Sequence, residues 1–167
     1  MKNPVKFLVA LVIAAFSNIA LAQNAFDVIS AHRLQRLDTG ATQTSRLEGP
    51  TIIQFWASWC VSCRKTMETV VEAAKTGSFN FVTVSLDEDP AAARKYLERA
   101  GELSGKLVSA TLVDTRQELA TTLQIAAVPT VLAVGADGKI LSRMSGHVSA
   151  KDLERIRREL DSSRHPG

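Results

Sequence analysis

Thr51-Ile52-Ile53-Gln54-Phe55-Trp56-Ala57-Ser58-Trp59-Cys60-Val61-Ser62-Cys63-Arg64-Lys65 decides the fold. An apolar run of strand length ends at two tryptophans. A Cys-x-x-Cys follows at once, and then a stretch that reads as helix. Two cysteines at this spacing, where a strand gives way to a helix, suit reversible dithiol–disulfide chemistry. One helical turn brings the two sulfurs within bridging reach, so the bond closes with little backbone movement. The helix start also offers unpaired N–H groups and the positive end of a dipole, which favour a thiolate. Cys60 therefore should have its pKa lowered from about 8.5. Arg64 and Lys65 add positive charge nearby.

Two blander readings compete. Half a zinc site would need two more Cys or His ligands at regular spacing. The chain has no other cysteine, and His32, His147 and His165 are scattered singly. No metal site is expected. An inert stabilising bridge is the other reading, but a loop this short removes little chain entropy.

The segment before this stretch reads as targeting sequence. Met1-Lys2-Asn3-Pro4-Val5-Lys6 is a short basic region, Phe7 to Phe16 is nearly all apolar, and Ala20-Leu21-Ala22 is a small-x-small cleavage site. A signal peptide over residues 1–22, cut before Gln23, is expected, with an uncleaved anchor as the rival. The apolar core is short for a membrane span. Export places the chain in an oxidising compartment, the periplasm. Both cysteines lie in the motif, so no structural disulfide is left and the fold must rest on its core. One domain of ordinary size is expected over 23–162, followed by a disordered tail over 163–167. Without Lys2 and Lys6 the formal charge falls from +3 to +1. Nucleic acid binding would need a clustered basic face, so it is not expected.

Along the chain, Asn24 to Ser30 reads as helix or loop, and 32–37 alternates as a half-buried strand does. A second short strand over Thr42 to Leu47 follows the turn at Asp38-Thr39-Gly40. After the motif, Cys63 to Lys75 carries Met67, Val70, Val71 and Ala74 at helical spacing. Phe79 to Leu86 reads as an interior strand. Asp89-Pro90 caps a helix through Ala100. Leu107 to Val113 reads as a strand, and Asp114 as the start of a helix. Strands over 130–134 and 139–144 flank the Asp137-Gly138 hairpin. Ser149 to Asp152 resembles a capping box for a last helix ending near Leu160. Alternating strands and helices, then a hairpin and a helix, give an α/β layer fold with a mixed sheet.

Phe55 to Arg64 resembles the active-site stretch of the thioredoxin superfamily. The resemblance extends along nearly the whole mature chain. Leu34 to Leu47 looks like the N-terminal hairpin of TlpA/ResA-like exported thioredoxins, and Pro90 to Leu112 like their central helix–strand insertion. The resemblance implies a thioredoxin-like fold, a central mixed β-sheet flanked by helices, and a redox-active Cys60–Cys63 disulfide. Cys60 is then the exposed attacker and Cys63 the resolving cysteine. Val128-Pro129-Thr130 resembles the family's cis-proline loop, which faces the cysteines and pairs with an incoming peptide. Trp59, Val128 and Pro129 are accordingly the expected substrate-binding residues. Trp56 reads as a core aromatic.

Two departures bear on proton handling. Gln54 sits where thioredoxins carry a buried Asp, and Thr66 where TlpA/ResA-like reductases carry a Glu. Glu68 occupies the position of a family proline and reads as a solvated helix residue. The expected function is a periplasmic thiol–disulfide oxidoreductase acting on protein thiols and disulfides, more a reductant than an oxidant. Val61-Ser62 matches neither the Gly-Pro of reducing thioredoxins nor the Pro-His of the strong oxidant DsbA. No nicotinamide or flavin motif is present, so no cofactor is expected, and electrons would pass to or from a partner at the membrane. The alternative is a copper- or haem-handling binding module, in which the thiolates hold a soft metal; the only candidate for a third ligand is Met67, one helical turn past Cys63.

Overall fold

A computed structural model describes residues 24–164. The expected signal peptide lies outside the described residues, as do residues 165–167 of the expected tail. In chain order the elements are α1 (Ala25–Ala31), β1 (Arg33–Arg36), β2 (Thr42–Thr44), β3 (Thr51–Trp56), α2 (Val61–Ala74), β4 (Asn80–Ser85) and α3 (Pro90–Glu98). A 3-10 turn (Gly101–Leu103), α4 (Ser104–Ser109), β5 (Thr111–Val113), α5 (Glu118–Thr122), β6 (Thr130–Val134), β7 (Ile140–Ser145) and α6 (Ala150–Arg164) complete them.

The strands form one mixed sheet in the order β2-β1-β5-β4-β3-β6-β7. β3, β4 and β5 run parallel, while β6 is antiparallel to β3 and β1 to β5. Helices cover both faces, so β3 is buried at every position and reads as an unbroken apolar run. Strand alternation assigns the faces. Ile53 and Phe55 pack with Val84, Leu132 and the helices α1 and α5, through Ile29 and Leu119. Ile52 and Trp56 face the other way. Trp56 meets Met67 of α2, Leu97 of α3 and Leu107 of α4. Ile52 meets Val70 of α2 and Leu153, Ile156 and Leu160 of α6. Gln54 lies between them in the strand, so it too faces α2.

Several boundaries differ from expectation: β2, expected through Leu47, ends at Thr44, α3, expected through Ala100, ends at Glu98, and three others change an element's state or extent. Leu107 and Val108 belong to α4, and the strand is only Thr111–Val113. A short apolar run has no period to separate the two states, and helix geometry lets Leu107 join the cluster under α2 and α3. Asp114 does not begin a helix: α5 starts at Glu118, after Gln117 in left-handed backbone at φ 54°. Asp114 still caps it from a distance, its carboxylate accepting from the backbone N–H of Glu118 (3.0 Å) and Ala120 (2.9 Å). The last helix runs to Arg164, so Ser163 and Arg164, expected in a disordered tail, are helical. Its start is the expected reciprocal cap: Ser149 N–H donates to Asp152 (3.0 Å), and Asp152 N–H to the Ser149 hydroxyl (3.3 Å).

Candidate active site

The site lies at the C-terminal end of β3, where strand passes into α2. Trp56 O accepts from Leu86 N (2.8 Å), which holds the strand end against the residue that follows β4. Trp56 is fully buried. Its indole N–H donates to Thr83 (2.9 Å), and its ring lies 5.1 Å from that of Tyr96. Next, Ser58 is tied to Asp87, which accepts its N–H and its hydroxyl. Cys60 N then bonds Ala57 O (3.0 Å), which turns the chain into the helix.

Cys60 is the N-cap of α2, and its side chain makes no capping hydrogen bond. It forms a disulfide with Cys63, with the Cα atoms 5.4 Å apart. Cys60 is 5 % exposed and Cys63 is fully buried, so of the two residues only the first reaches the surface. The pair packs with Trp56, Met67 and Leu97. The rim is apolar and open: Trp59 is 71 % exposed and Val61 92 %. Behind it Tyr96 donates its hydroxyl to Cys60 O (3.3 Å), and Arg64 lies 5.0 Å over the Tyr96 ring.

The residues expected around the cysteines fall into place unequally. Val128 packs against the cluster that holds both of them. The Val128–Pro129 peptide bond is cis, Pro129 is buried, and its carbonyl accepts from Gly146 N (2.8 Å). Trp59 projects into solvent. Glu68 is exposed on the far side of α2 and takes no part. Gln54 is fully buried and donates its Nε2–H to Cys63 O (3.1 Å). Thr66 is also fully buried, and its hydroxyl accepts from Val148 N (3.3 Å) and lies 3.3 Å from Nδ1 of His147. Among the described residues no group of three His, Cys, Asp or Glu side chains gathers as a metal site.

Three contributors were not singled out in the sequence. Asp87 follows β4, which the structure shows to be parallel to β3, and the C-terminal ends of parallel strands share one edge. Tyr96, the single tyrosine, sits on an amphipathic helix whose packing partner no local pattern names. His147 reaches Thr66 only through the loop that β7 and α6 create.

The family match decides what this arrangement belongs to. Residues 39–160 match the family described as "Thioredoxin-like domain". The chain belongs to the thioredoxin-like family.

This thioredoxin-like chain is 32 % identical to "Thiol:disulfide interchange protein CycY" of Rhizobium leguminosarum over 58 % of its own length and 50 % of that protein's. It is 27 % identical to "Thiol:disulfide interchange protein HelX" of Rhodobacter capsulatus over 87 % of this chain and 89 % of that one. Most of the first relatives are spanned less fully, over 37–64 % of their length. A solved structure, a secreted Mycobacterium tuberculosis disulfide oxidoreductase homologous to E. coli DsbE, superposes with a TM-score of 0.67 at 18 % identity. That superposition covers 80 % of this thioredoxin-like chain and 98 % of the other. It bears on the fold alone.

Proposed function

We propose that this chain is a thiol–disulfide oxidoreductase in which Cys60 attacks and Cys63 resolves. The observation that carries the reading is the Cys60–Cys63 disulfide at the start of α2, with only the first cysteine reaching the surface. In the reduced protein the Cys60 thiolate, favoured by the helix N-terminus, attacks one sulfur of a partner disulfide. A mixed disulfide forms and the partner's other sulfur leaves as thiolate. Cys63 then loses its proton and attacks Cys60 Sγ, which closes the bridge and releases the partner's second thiolate. Two electrons pass to the partner. Exposed Trp59 and Val61, with Val128 packed against the cysteines' cluster and Pro129 next to it in the chain, form the docking rim for its polypeptide.

The compartment proposed is the periplasm, reached through the signal peptide of residues 1–22. The relatives CycY and HelX are themselves thiol:disulfide interchange proteins by name. The proposed direction is reduction of partners, with electrons supplied by a donor at the membrane. Metal binding by the reduced pair is the alternative. Met67 is buried in the same cluster as the cysteines, but no observation favours it as a ligand over a core residue.

Equilibration with glutathione buffers, read by alkylation and mass, tests the proposal. The pair should interconvert reversibly and speed exchange with a disulfide-bonded protein well above the rate of a free dithiol. A pair that stays oxidised in excess thiol, or adds nothing to that rate, would sink the reading. A potential near −270 mV supports the reductant, and one near −120 mV the oxidant.

A further inference from the structure

Gln54 is a polar residue in the middle of a strand buried on both faces. One end of its carboxamide is satisfied, because Nε2–H donates to Cys63 O at 3.1 Å. The other end is not: Oε1 is buried and has no hydrogen-bond partner among the described residues. A buried carbonyl without a donor is costly, and nearly all such groups in folded proteins find one.

The neighbouring hydroxyls already have partners. Thr83 is the partner of Gln54 in β4, so it lies on the same face of the sheet. The Thr111 hydroxyl donates to Leu107 O, so the 2.7 Å contact between Thr83 and Thr111 must use the proton of Thr83. Thr66 is engaged with His147 and Val148. Val131, the partner in β6, has no polar side-chain atom. Cys63 is different. As half of a disulfide it has no proton. On reduction the S–S bond breaks, two electrons and two protons enter from a thiol reductant, and Cys63 Sγ becomes an S–H donor, weak but buried. It forms on the residue whose backbone carbonyl already holds the amide.

We propose that the Gln54 carboxamide accepts the hydrogen bond of the Cys63 thiol in the reduced protein, and so acts as a positioning residue that favours dithiol over disulfide. This rests on the redox reading above. The amide is neutral at every pH, so it holds the thiol without exchanging a proton with it. Oxidation breaks the bond and strands the carbonyl, and reduction restores it. Both changes act in the same direction. The bond from Nε2 to Cys63 O is available in either state and cancels.

Two measurements on the full chain test it. Gln54→Met is close in length and lacks the carbonyl, and Gln54→Leu is a second variant should the first pack poorly. Against glutathione at pH 7, either variant should be roughly threefold to tenfold harder to reduce, which is a potential lower by roughly 15–30 mV. In reduced Cys60→Ser protein, where Cys63 is the remaining thiol, the infrared S–H stretching band should lie low and rise in frequency when Gln54→Met is added. A merely structural role for Gln54 would not move that band. A potential within twofold of wild type together with an unmoved band overturns the proposal while leaving the oxidoreductase reading intact. A wild-type pair that glutathione cannot reduce overturns both.

Discussion

The carboxylate of Asp87 holds Ser58 from across the sheet: it accepts the Ser58 backbone N–H at 3.1 and 3.0 Å and the Ser58 hydroxyl at 2.7 Å. Asp87 is buried and also accepts the Ser85 hydroxyl at 2.7 Å. One side chain thereby joins the end of β4 to the turn that carries Trp59 and Cys60. Asp87→Ala should lower stability by about 2–4 kcal/mol, since it strands the half-buried Ser58 N–H and the hydroxyls of Ser58 and Ser85. Urea unfolding checks this. A loss under about 0.5 kcal/mol would mean that the turn holds itself.

Cys63→Ser should accumulate mixed disulfides with protein partners, and Cys60→Ser should not. The structure gives Cys60 the surface and Cys63 none. Non-reducing gels after thiol quenching separate the outcomes, and the reverse pattern would exchange the two roles.

Trp59→Ala should leave stability within about 0.5 kcal/mol of wild type, because the ring is 71 % exposed. Exchange with a disulfide-bonded protein should nevertheless slow several-fold while exchange with glutathione does not. Equal slowing for both substrates would remove Trp59 from the docking rim.

Release of the partner should be slow at neutral pH and quicken as pH rises. Cys63 must lose its proton to attack, it is fully buried, and burial disfavours the thiolate. Gln54 cannot take that proton, and Thr66 offers a hydroxyl where an acid would be more effective. Thr66→Glu should raise the neutral-pH rate by roughly tenfold or more. Stopped-flow traces of wild type and variant across pH decide. A fast wild-type step, flat with pH, would point to another relay, with His147 beside Thr66 the first place to look.

Acid should erode the fold through a few surface carboxylates. Arg36 holds Asp38 down to about 2, and the Ser149 hydroxyl and N–H hold Asp152 below the usual carboxylate range. Groups with lowered folded pKa values contribute in full above their unfolded values, about 3.9 for Asp, and lose that contribution as pH falls through the folded ones. Melting temperature should therefore drop between about pH 4 and pH 2, and less steeply in Asp152→Asn. A parallel drop in that variant would clear Asp152 of any part.

Much of this was legible in the chain. The apolar run 51–56, the Cys-x-x-Cys beside it and the 3.6-residue spacing of Met67, Val70 and Val71 are local patterns, and local patterns survive folding. Ser149 and Asp152 announced their cap because a capping box closes within four residues. Leu107 was ambiguous for the opposite reason: its state is chosen by what it packs against. Asp114 was read as the start of a helix, but the left-handed Gln117 delays that start by a turn. Asp87, Tyr96 and His147 meet the site only across the sheet or through a loop, at separations no window of sequence spans.

The cysteines of the bridge are three residues apart, within a single turn of α2. Because it ties no distant parts of the chain together, the native topology does not depend on it, and both redox forms should fold. A closed thermodynamic cycle then makes denaturation a redox measurement. The unfolding free energies of the dithiol and disulfide forms differ by the same amount that folding changes the free energy of reducing the pair. For a two-electron couple, each 30 mV by which the folded pair is more oxidising than the unfolded chain appears as about 1.4 kcal/mol of extra stability in the dithiol form. Two guanidinium titrations, one with and one without reductant, would reveal which electron count this fold prefers before any partner is known.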